Sequence, residues 1–312
     1  ELFMKAAVVR EFGGPEVIRV SQIDRPTPGA GEVLVKVNAA GVGPWDAFVR
    51  AGMSAIPQPL PLTPGSDISG TIEAIGPGVQ KFAVGDAVYG VTNEQFTGGY
   101  AEYAVANASM LDHKPANLSD LEAASIPVIA VTAWQTLHEY GNAVAGQSIL
   151  VHGAAGNVGA YTVQLAKQAG LHVVATASGD DVDYVRELGA DQVIDYKTTR
   201  FDNAVQDIDI VLDTISGDVL ERSAKVVKPE GIIVSIAAPV AEDFEATHGV
   251  KAVFFLAEVN FERLHTITKF LTTGELITQV GSILSLDDAA VAHEMLAGAP
   301  HERGKIVFDI AS

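Results

Sequence analysis

The chain has 312 residues, of which 48% are hydrophobic, so it is long and apolar enough for two folded domains and is not intrinsically disordered. Its formal net charge of −19 excludes a broad basic surface for nucleic acid or anionic lipid. The sequence has no cysteine, which excludes disulfides, thiolate zinc sites and a thiol nucleophile. Because we find neither an apolar run of membrane-spanning length nor a secretory signal pattern, we expect a cytoplasmic protein.

Residues 1–110 alternate short strand patterns with glycine and proline turns, which is typical of an all-β, barrel-like fold. Residues 32–39 show the alternation of apolar and polar side chains that a half-buried strand requires. Residues 41–46 are predicted to be a loop leading into a short helix that ends at Arg50. The remaining strand patterns of this region are 4–10, 16–20, 68–75, 84–90 and 98–105.

The pattern changes near Ser119, which stands at capping-box spacing from Glu122 before an apolar run. Two helical segments separated by Pro127 follow, and strands then alternate with helices. This alternation predicts a doubly wound parallel sheet of six strands, inserted between two pieces of the β-rich domain. The predicted strands are 148–152, 172–177, 192–196, 208–213, 231–237 and 252–257, and the helices between them are 157–168, 181–188 and 218–227.

An amphipathic helix is predicted at residues 261–271, and short mixed elements at 275–312. We therefore place the inserted domain at residues 124–258. The β-rich domain takes the two flanking parts, 1–123 and 259–312.

The turn between the first strand of the sheet and its helix is made of small residues. Ala154 occupies the first position of a G-x-G-x-x-G pattern, and Gly156 and Gly159 occupy the second and third. Such a turn lets backbone N–H groups and the positive end of the helix dipole approach a pyrophosphate. The alternative is a loop that needs small residues only for packing. The strand–turn–helix–strand context favours dinucleotide binding.

With these features the sequence resembles the medium-chain dehydrogenase/reductase superfamily, and within it the zinc-independent quinone oxidoreductase branch. The resemblance implies a Rossmann sheet inserted into a GroES-like β-barrel domain, and a homodimer. It rests on motifs that span nearly the whole chain: Pro28–Val33, Gly41–Asp46, Pro64–Gly70, Val84–Gly90, Ala154–Gly159, Leu188–Asp191 and Gly304–Val307.

Zinc members of the superfamily carry a cysteine in the loop that matches residues 42–46, and a histidine where this chain has Ser66. Neither ligand is present here, and the cysteine lobe of the structural zinc is also missing. We therefore predict no catalytic zinc and no metal-assisted alcohol chemistry.

The residues after the second strand of the sheet bear on the choice of coenzyme. That strand ends without the carboxylate that binds an NAD ribose, so we expect NADPH, with NADH as the alternative. Ser178 is a possible donor to the 2′-phosphate, and Tyr196 matches a tyrosine that relatives use there. However, Asp180 and Asp181 stand where relatives place arginine or lysine, and they disfavour the phosphate unless they cap the next helix.

The resemblance also assigns the remaining coenzyme contacts. It places Thr132 near the nicotinamide. The pyrophosphate contacts are expected at Ala154, Ala155, Gly156, Asn157 and Val158, and the carboxamide contacts at Ala237, Phe254, Phe255 and Leu256. For the two phenylalanines, core packing is an equally good interpretation.

Three residues of the first domain are candidates for the reacting end. Asp46 matches an aspartate of the family's active-site loop, although it is also well placed as a helix cap. Trp45 and Phe48 can stack on a flat substrate. Relatives often have asparagine at Gly43 and tyrosine at Phe48, so a proton-donating side chain is not evident.

We therefore predict an NADPH-dependent, zinc-free reductase of quinones that acts on a small molecule and binds neither nucleic acid nor membrane. One alternative on the same scaffold is a reductase of alkenals or enones. Another is a non-enzymatic nucleotide-binding protein, because relatives serve as lens crystallins and RNA binders. The acidic charge argues against RNA, and the glycine turn argues against a purely structural role.

Overall fold

In a computed structural model, which describes residues 2–56 and 58–312, the chain forms two compact units. The second unit is Ile129–Ala257, and the first combines the chain up to Val128 with Glu258–Ser312. The first border therefore falls after residue 128 instead of after the predicted 123. The reason is a short helix whose Ala124 packs with Ala39 and Val307 of the first unit.

The amino-terminal part of the first unit holds seven strands, two helices and the start of a third. Ser119 and Glu122 form the predicted capping box at the second helix. The elements are β1 (Phe3–Val9), β2 (Ile18–Asp24), β3 (Glu32–Val42), α1 (Pro44–Ala51), β4 (Asp67–Ile75), β5 (Ala87–Val91), β6 (Tyr103–Asn107), β7 (Leu111–His113), α2 (Asp120–Ala124) and α3 (Pro127–Gln135), which runs on into the second unit.

The second unit alternates strands with helices, as the sequence predicts. Its central strands have apolar residues on both faces, because both faces are covered. Ile149, Leu150 and Val151 of the first of these strands are fully buried. The elements are β8 (Ser148–Val151), α4 (Asn157–Gln168), β9 (His172–Ala177), α5 (Val182–Glu187), β10 (Gln192–Asp195), β11 (Ile208–Asp213), α6 (Gly217–Ser223), β12 (Val227–Ser235), α7 (Phe244–His248) and β13 (Lys251–Phe254).

The chain then returns to the first unit with two helices and two strands. The amphipathic helix predicted at residues 261–271 is present. The elements are α8 (Phe261–Thr272), β14 (Val280–Ser285), α9 (Ala289–Leu296) and β15 (Lys305–Asp309).

The main sheet of the first unit has the order β14-β15-β3-β4-β5-β7, with β6 paired to the first half of β3. All its pairs are antiparallel except β14 with β15. The long strand β3 has three partners: β4 pairs along one edge of it, and β6 and β15 pair with residues 32–36 and 39–42 of the other edge. Its residues Val33, Val35 and Val37 all lie in the buried core, as their spacing predicts.

The sheet of the second unit is entirely parallel, with the order β10-β9-β8-β11-β12-β13. This is the Rossmann strand order, in which the direction of winding reverses between the first and fourth strands. The predicted doubly wound sheet of six parallel strands is therefore confirmed. The reversal lies between β8 and β11, directly beside the small-residue turn that follows β8.

Several local predictions differ from the structure. The strands predicted at 16–20, 231–237 and 252–257 are found at Ile18–Asp24, Val227–Ser235 and Lys251–Phe254. Residues 41–46 are mostly the end of β3 and the start of α1, because Pro44 begins the helix directly after Gly43. The helix predicted at 218–227 ends at Ser223, because Val227 already pairs with Ile208 in the sheet. The strand predicted at 98–105 begins at Tyr103.

No helix among the described residues is long and apolar enough to cross a membrane.

Candidate active site

The turn after β8 is shaped by close backbone contacts. Gly153 has a positive φ of 59°, and the Gly156 N–H donates to its carbonyl oxygen at 2.9 Å. The Ala154 N–H donates to Thr176 of β9 at 3.0 Å, and the Ala154 methyl group is fully buried. Alanine thus fits the first position of the glycine pattern because its methyl group is accommodated in the buried core.

Gly159 is required by the packing of α4 against this turn. A Cβ atom at Gly159 would stand 2.2 Å from the Gly153 carbonyl oxygen and 2.8 Å from the Ala154 Cα, which are rigid backbone atoms. A Cβ atom at Gly156 would stand 3.1 Å from the same oxygen, a contact that a small shift relieves. The third glycine therefore brings the helix start onto the strand end, as in a dinucleotide site.

The start of α4 fits a pyrophosphate. Gly156 is its N-cap residue, and no side chain makes the N-cap hydrogen bond there. The first turn of this 12-residue helix contains no acidic residue. Its N–H groups and the positive end of the helix dipole can therefore interact with an anion. The residues predicted for the pyrophosphate, from Ala154 to Val158, form the turn after β8 and the first two positions of α4. The backbone of the second unit therefore fits the dinucleotide that the sequence predicts.

The residues predicted for the ribose end lie at the tips of β9 and β10. Tyr196 directly follows β10 and is 58% exposed, while its N–H donates to Ala177 of β9 at 3.2 Å. The Ser178 hydroxyl donates to the Asp181 carboxylate at 3.2 Å instead of remaining free for a phosphate. A Cβ at Gly179 would stand 2.9 Å from a carboxylate oxygen of Asp195, which adds a third acid beside Asp180 and Asp181.

The residues predicted for the nicotinamide end have different degrees of burial. Thr132 lies in α3 and is 7% exposed. The Phe255 ring is buried and stacks on Tyr140 with ring centroids 4.2 Å apart. This favours the packing interpretation for its side chain and leaves only its backbone for a carboxamide. Leu256 is 59% exposed, and the Ala237 N–H donates to the Ser235 hydroxyl at 3.3 Å.

In the first unit, the three candidates of the reacting end lie in α1. Phe48 is 52% exposed. The Trp45 indole N–H donates to the Ser66 hydroxyl at 2.9 Å. Asp46 is fully buried, and its carboxylate accepts the Gly43 N–H at 2.9 Å. This places Asp46 inside the fold as a capping residue, which the sequence left as an equal alternative.

Beside Asp46 lies a buried ionic pair that sequence reasoning did not single out. Lys305 Nζ stands 3.8 Å from the Asp67 carboxylate, and both side chains are fully buried. The same ammonium lies 4.3 Å from the centre of the Trp45 ring, at cation–π distance. Burial raises the pKa of Asp67 to about 6, and Lys305 opposes that rise. Burial also lowers the pKa of Lys305, against the pull of the two carboxylates.

The residues around this pair do not fit a zinc ion. The loop 42–46 holds no cysteine, Ser66 stands where zinc members carry histidine, and the Ser66 hydroxyl accepts the Trp45 N–H. Asp67, the next carboxylate, faces the Lys305 ammonium, whose charge repels a cation. Across residues 2–56 and 58–312, no three histidine, aspartate or glutamate side chains are grouped as metal ligands would be.

Comparison with known proteins agrees with this two-domain organisation. The model of the alcohol dehydrogenase GroES-like domain matches residues 29–116, and that of zinc-binding dehydrogenase matches residues 188–308. Quinone oxidoreductase from Mus musculus is 30% identical over 324 aligned positions. The alignment covers 98% of this chain and 97% of that protein.

Two solved structures are similar to the present one. The quinone oxidoreductase from Coxiella burnetii has a TM-score of 0.89 and 32% identity, with 99% of each chain covered. Mycobacterial Rv1454c complexed with NADPH has a TM-score of 0.86 and 28% identity, covering 98% of this chain and 99% of that one.

A GroES-like domain that carries an inserted Rossmann sheet, on a chain with these relatives, identifies a two-domain oxidoreductase. The chain belongs to the quinone oxidoreductase family of the medium-chain dehydrogenase/reductase superfamily, as the sequence motifs predict.

The first testable prediction concerns the turn. Gly159→Ala should lower the free energy of unfolding by about 2–4 kcal/mol, because the new methyl group overlaps a backbone carbonyl that cannot move aside. Gly156→Ala is the matched control and should cost clearly less. Urea unfolding followed by circular dichroism measures both variants, and equal losses would contradict the packing role of Gly159.

The second prediction concerns the buried pair. Lys305→Met should destabilise the chain by about 3–5 kcal/mol, because it leaves buried carboxylates without a counter-charge. The double variant Lys305→Met/Asp67→Asn should recover part of this loss. If the double variant unfolds at the same urea concentration as the single variant, the pair is not energetically coupled.

Proposed function

We propose that this protein is an NADPH-dependent, zinc-free reductase of quinones. The observation that carries the proposal is the uncapped start of α4 against a turn in which Gly159 admits no side chain, on a chain related over its full length to quinone oxidoreductases. When bound, the coenzyme supplies a hydride from its nicotinamide ring. The chain's own part is to bind and orient it.

The proposed coenzyme contacts all come from the second unit. The backbone from Ala154 to Val158 holds the pyrophosphate, and Ser178 and Tyr196 face the ribose. Thr132 and the backbone at Ala237 and at Phe254–Leu256 orient the nicotinamide. From the first unit, Trp45 and Phe48 supply flat, apolar surface for an aromatic substrate, and Asp46 keeps Trp45 in place.

Zinc-free chemistry is supported by the donor set. Gly43 and Ser66 offer no ligand of the kind zinc requires, and the neighbouring carboxylate Asp67 is already paired with Lys305. We also propose a cytoplasmic homodimer that acts on a small molecule without nucleic acid or membrane partners. The absence of cysteine and the net charge of −19 support the compartment and the partner class. Light scattering measures the oligomeric state.

One panel of assays tests the proposed function. Initial rates are measured with NADPH and NADH against naphthoquinone, phenanthrenequinone, an enal and an enone. We expect the highest kcat/KM with NADPH and a quinone. Faster turnover of the enal or enone would make the protein an alkene reductase instead. Absence of any NADPH fluorescence change and of any thermal shift would contradict every enzymatic assignment.

The coenzyme preference provides a further prediction. Asp181→Lys should tighten NADPH binding about tenfold, which corresponds to about 1.4 kcal/mol, and leave NADH binding nearly unchanged. The reason is that Asp181 holds the Ser178 hydroxyl and places a negative charge beside the proposed phosphate position.

Asp183→Lys is the matched control, because it makes the same charge change at a side chain that is 92% exposed. It should have little effect on either coenzyme. If Asp183→Lys tightens NADPH binding as strongly as Asp181→Lys, the effect is general electrostatics and Asp181 is not a selectivity residue.

A further inference from the structure

Four buried side chains of the first unit form a continuous chain of hydrogen bonds. Arg50 Nη1 lies 2.8 Å from His293 Nδ1, and His293 Nε2 lies 3.0 Å from the Tyr100 hydroxyl. That hydroxyl lies 3.1 Å from the Asp46 carboxylate. His293, Tyr100 and Asp46 are fully buried, and Arg50 is 9% exposed. The chain thus joins α9 to α1 through a residue that precedes β6.

The direction of donation along this chain follows from its first member. A guanidinium can only donate, so His293 Nδ1 must accept from Arg50. Burial, aided by Arg50, lowers the pKa of His293 to about 3, so the imidazole is neutral and its single proton is on Nε2. Nε2 therefore donates to the Tyr100 oxygen, and the Tyr100 proton is directed at Asp46.

The carboxylate oxygen that accepts the Tyr100 hydrogen bond also accepts a backbone hydrogen bond at the start of α1. Asp46 Oδ2 accepts the Gly43 N–H at 2.9 Å in addition to the Tyr100 hydroxyl. Gly43 and Trp45 both lie in the segment 41–46. The charge of the Asp46 carboxylate therefore affects the strength of the hydrogen bond to the backbone next to Trp45.

We propose that Arg50, His293 and Tyr100 act as positioning residues that set the charge of Asp46 and thereby fix the segment 41–46 with Trp45. The four side chains have no role in the proposed coenzyme contacts. The effect on catalysis rests on the proposed function, but the effect on Trp45 does not.

Several groups face Asp46 and determine where it titrates. Burial raises its pKa to about 7, the Gly43 N–H, Lys305 and the Tyr100 hydroxyl oppose that rise, and Asp67 adds to it. The charged and titratable groups around it come from α1, the start of β4, the residues before β6, α9 and β15; they are Arg50, Asp67, Tyr100, His293 and Lys305. Burial lowers the pKa of Arg50, and the charge of Glu16 opposes that change.

The fluorescence of Trp45 reports this charge without any substrate. The chain has two tryptophans, so Trp134→Phe leaves Trp45 as the single emitter. Trp45 is next to Asp46 in the sequence and lies 4.3 Å from the Lys305 ammonium. We expect its emission to change with pH around a midpoint near neutrality, and the change to vanish in Asp46→Asn.

Substitutions at Tyr100 and His293 test the direction of donation along these hydrogen bonds. Tyr100→Phe should raise the midpoint by about one pH unit or more, the shift expected when a carboxylate loses one hydrogen bond. His293→Leu should also raise it, because the Tyr100 proton is no longer fixed toward Asp46. His293→Gln should leave the midpoint close to that of the parent, because glutamine keeps one acceptor and one donor.

The proposal is overturned if the parent shows no transition, if the transition persists in Asp46→Asn, or if His293→Leu and His293→Gln titrate alike. The His293 pair decides the matter even if Tyr100→Phe does not fold, as judged by circular dichroism.

A kinetic measurement then separates this proposal from the proposed function. If both hold, KM for the quinone changes across the same pH range, whereas KM for the coenzyme does not. A fluorescence transition with the expected variant shifts but no quinone turnover would refute the proposed function alone. A pH-independent KM for the quinone, in an enzyme that turns it over, would refute the positioning role.

Discussion

The contact between the Gly153 carbonyl and the start of α4 is the constraint on which the second unit depends. With 2.2 Å between that oxygen and an added Cβ, no side chain fits at Gly159 without displacing backbone. Because the helix starts so close to the end of β8, its N–H groups lie at the point where the parallel sheet reverses its winding. Strand order, turn and helix dipole therefore converge on one place suited to a phosphate group.

In the first unit, the charges to be stabilised belong to two buried carboxylates of the protein itself. Two buried carboxylates, Asp46 and Asp67, lie near the positions where zinc members of the superfamily carry their ligands. Here the compensating charge comes from Lys305, and the Gly43 N–H and the Tyr100 hydroxyl both donate to Asp46 Oδ2, whereas Asp46 Oδ1 is buried without a hydrogen-bond partner among the described residues. Burying these ions costs free energy that only their mutual arrangement offsets. The Lys305 ammonium of this arrangement also lies 4.3 Å from the centre of the Trp45 ring.

The elements whose side chains follow a local period were predictable from the sequence. The strands and helices of the parallel sheet fall into this class, and helix 157–168 and strands 172–177 and 208–213 have the predicted bounds. The hydrogen-bond chain was not predictable, because 54 residues separate Asp46 from Tyr100 and 193 separate Tyr100 from His293. In the sequence, His293 is one of two polar residues, with Glu294, in an otherwise apolar helix. Only the closed fold brings its two nitrogens against partners.

The most direct test of the central claim is hydrogen–deuterium exchange of the full chain with and without NADPH. Within the segment 153–159, the amides at the start of α4 should exchange more slowly when the coenzyme is bound, because they donate to its pyrophosphate, whereas the Ala154 and Gly156 amides already donate to backbone carbonyls. Peptides from β1 and β2 should exchange as before and serve as the internal reference. Unchanged exchange at 153–159, under conditions where NADPH binding is measured independently, would contradict the account.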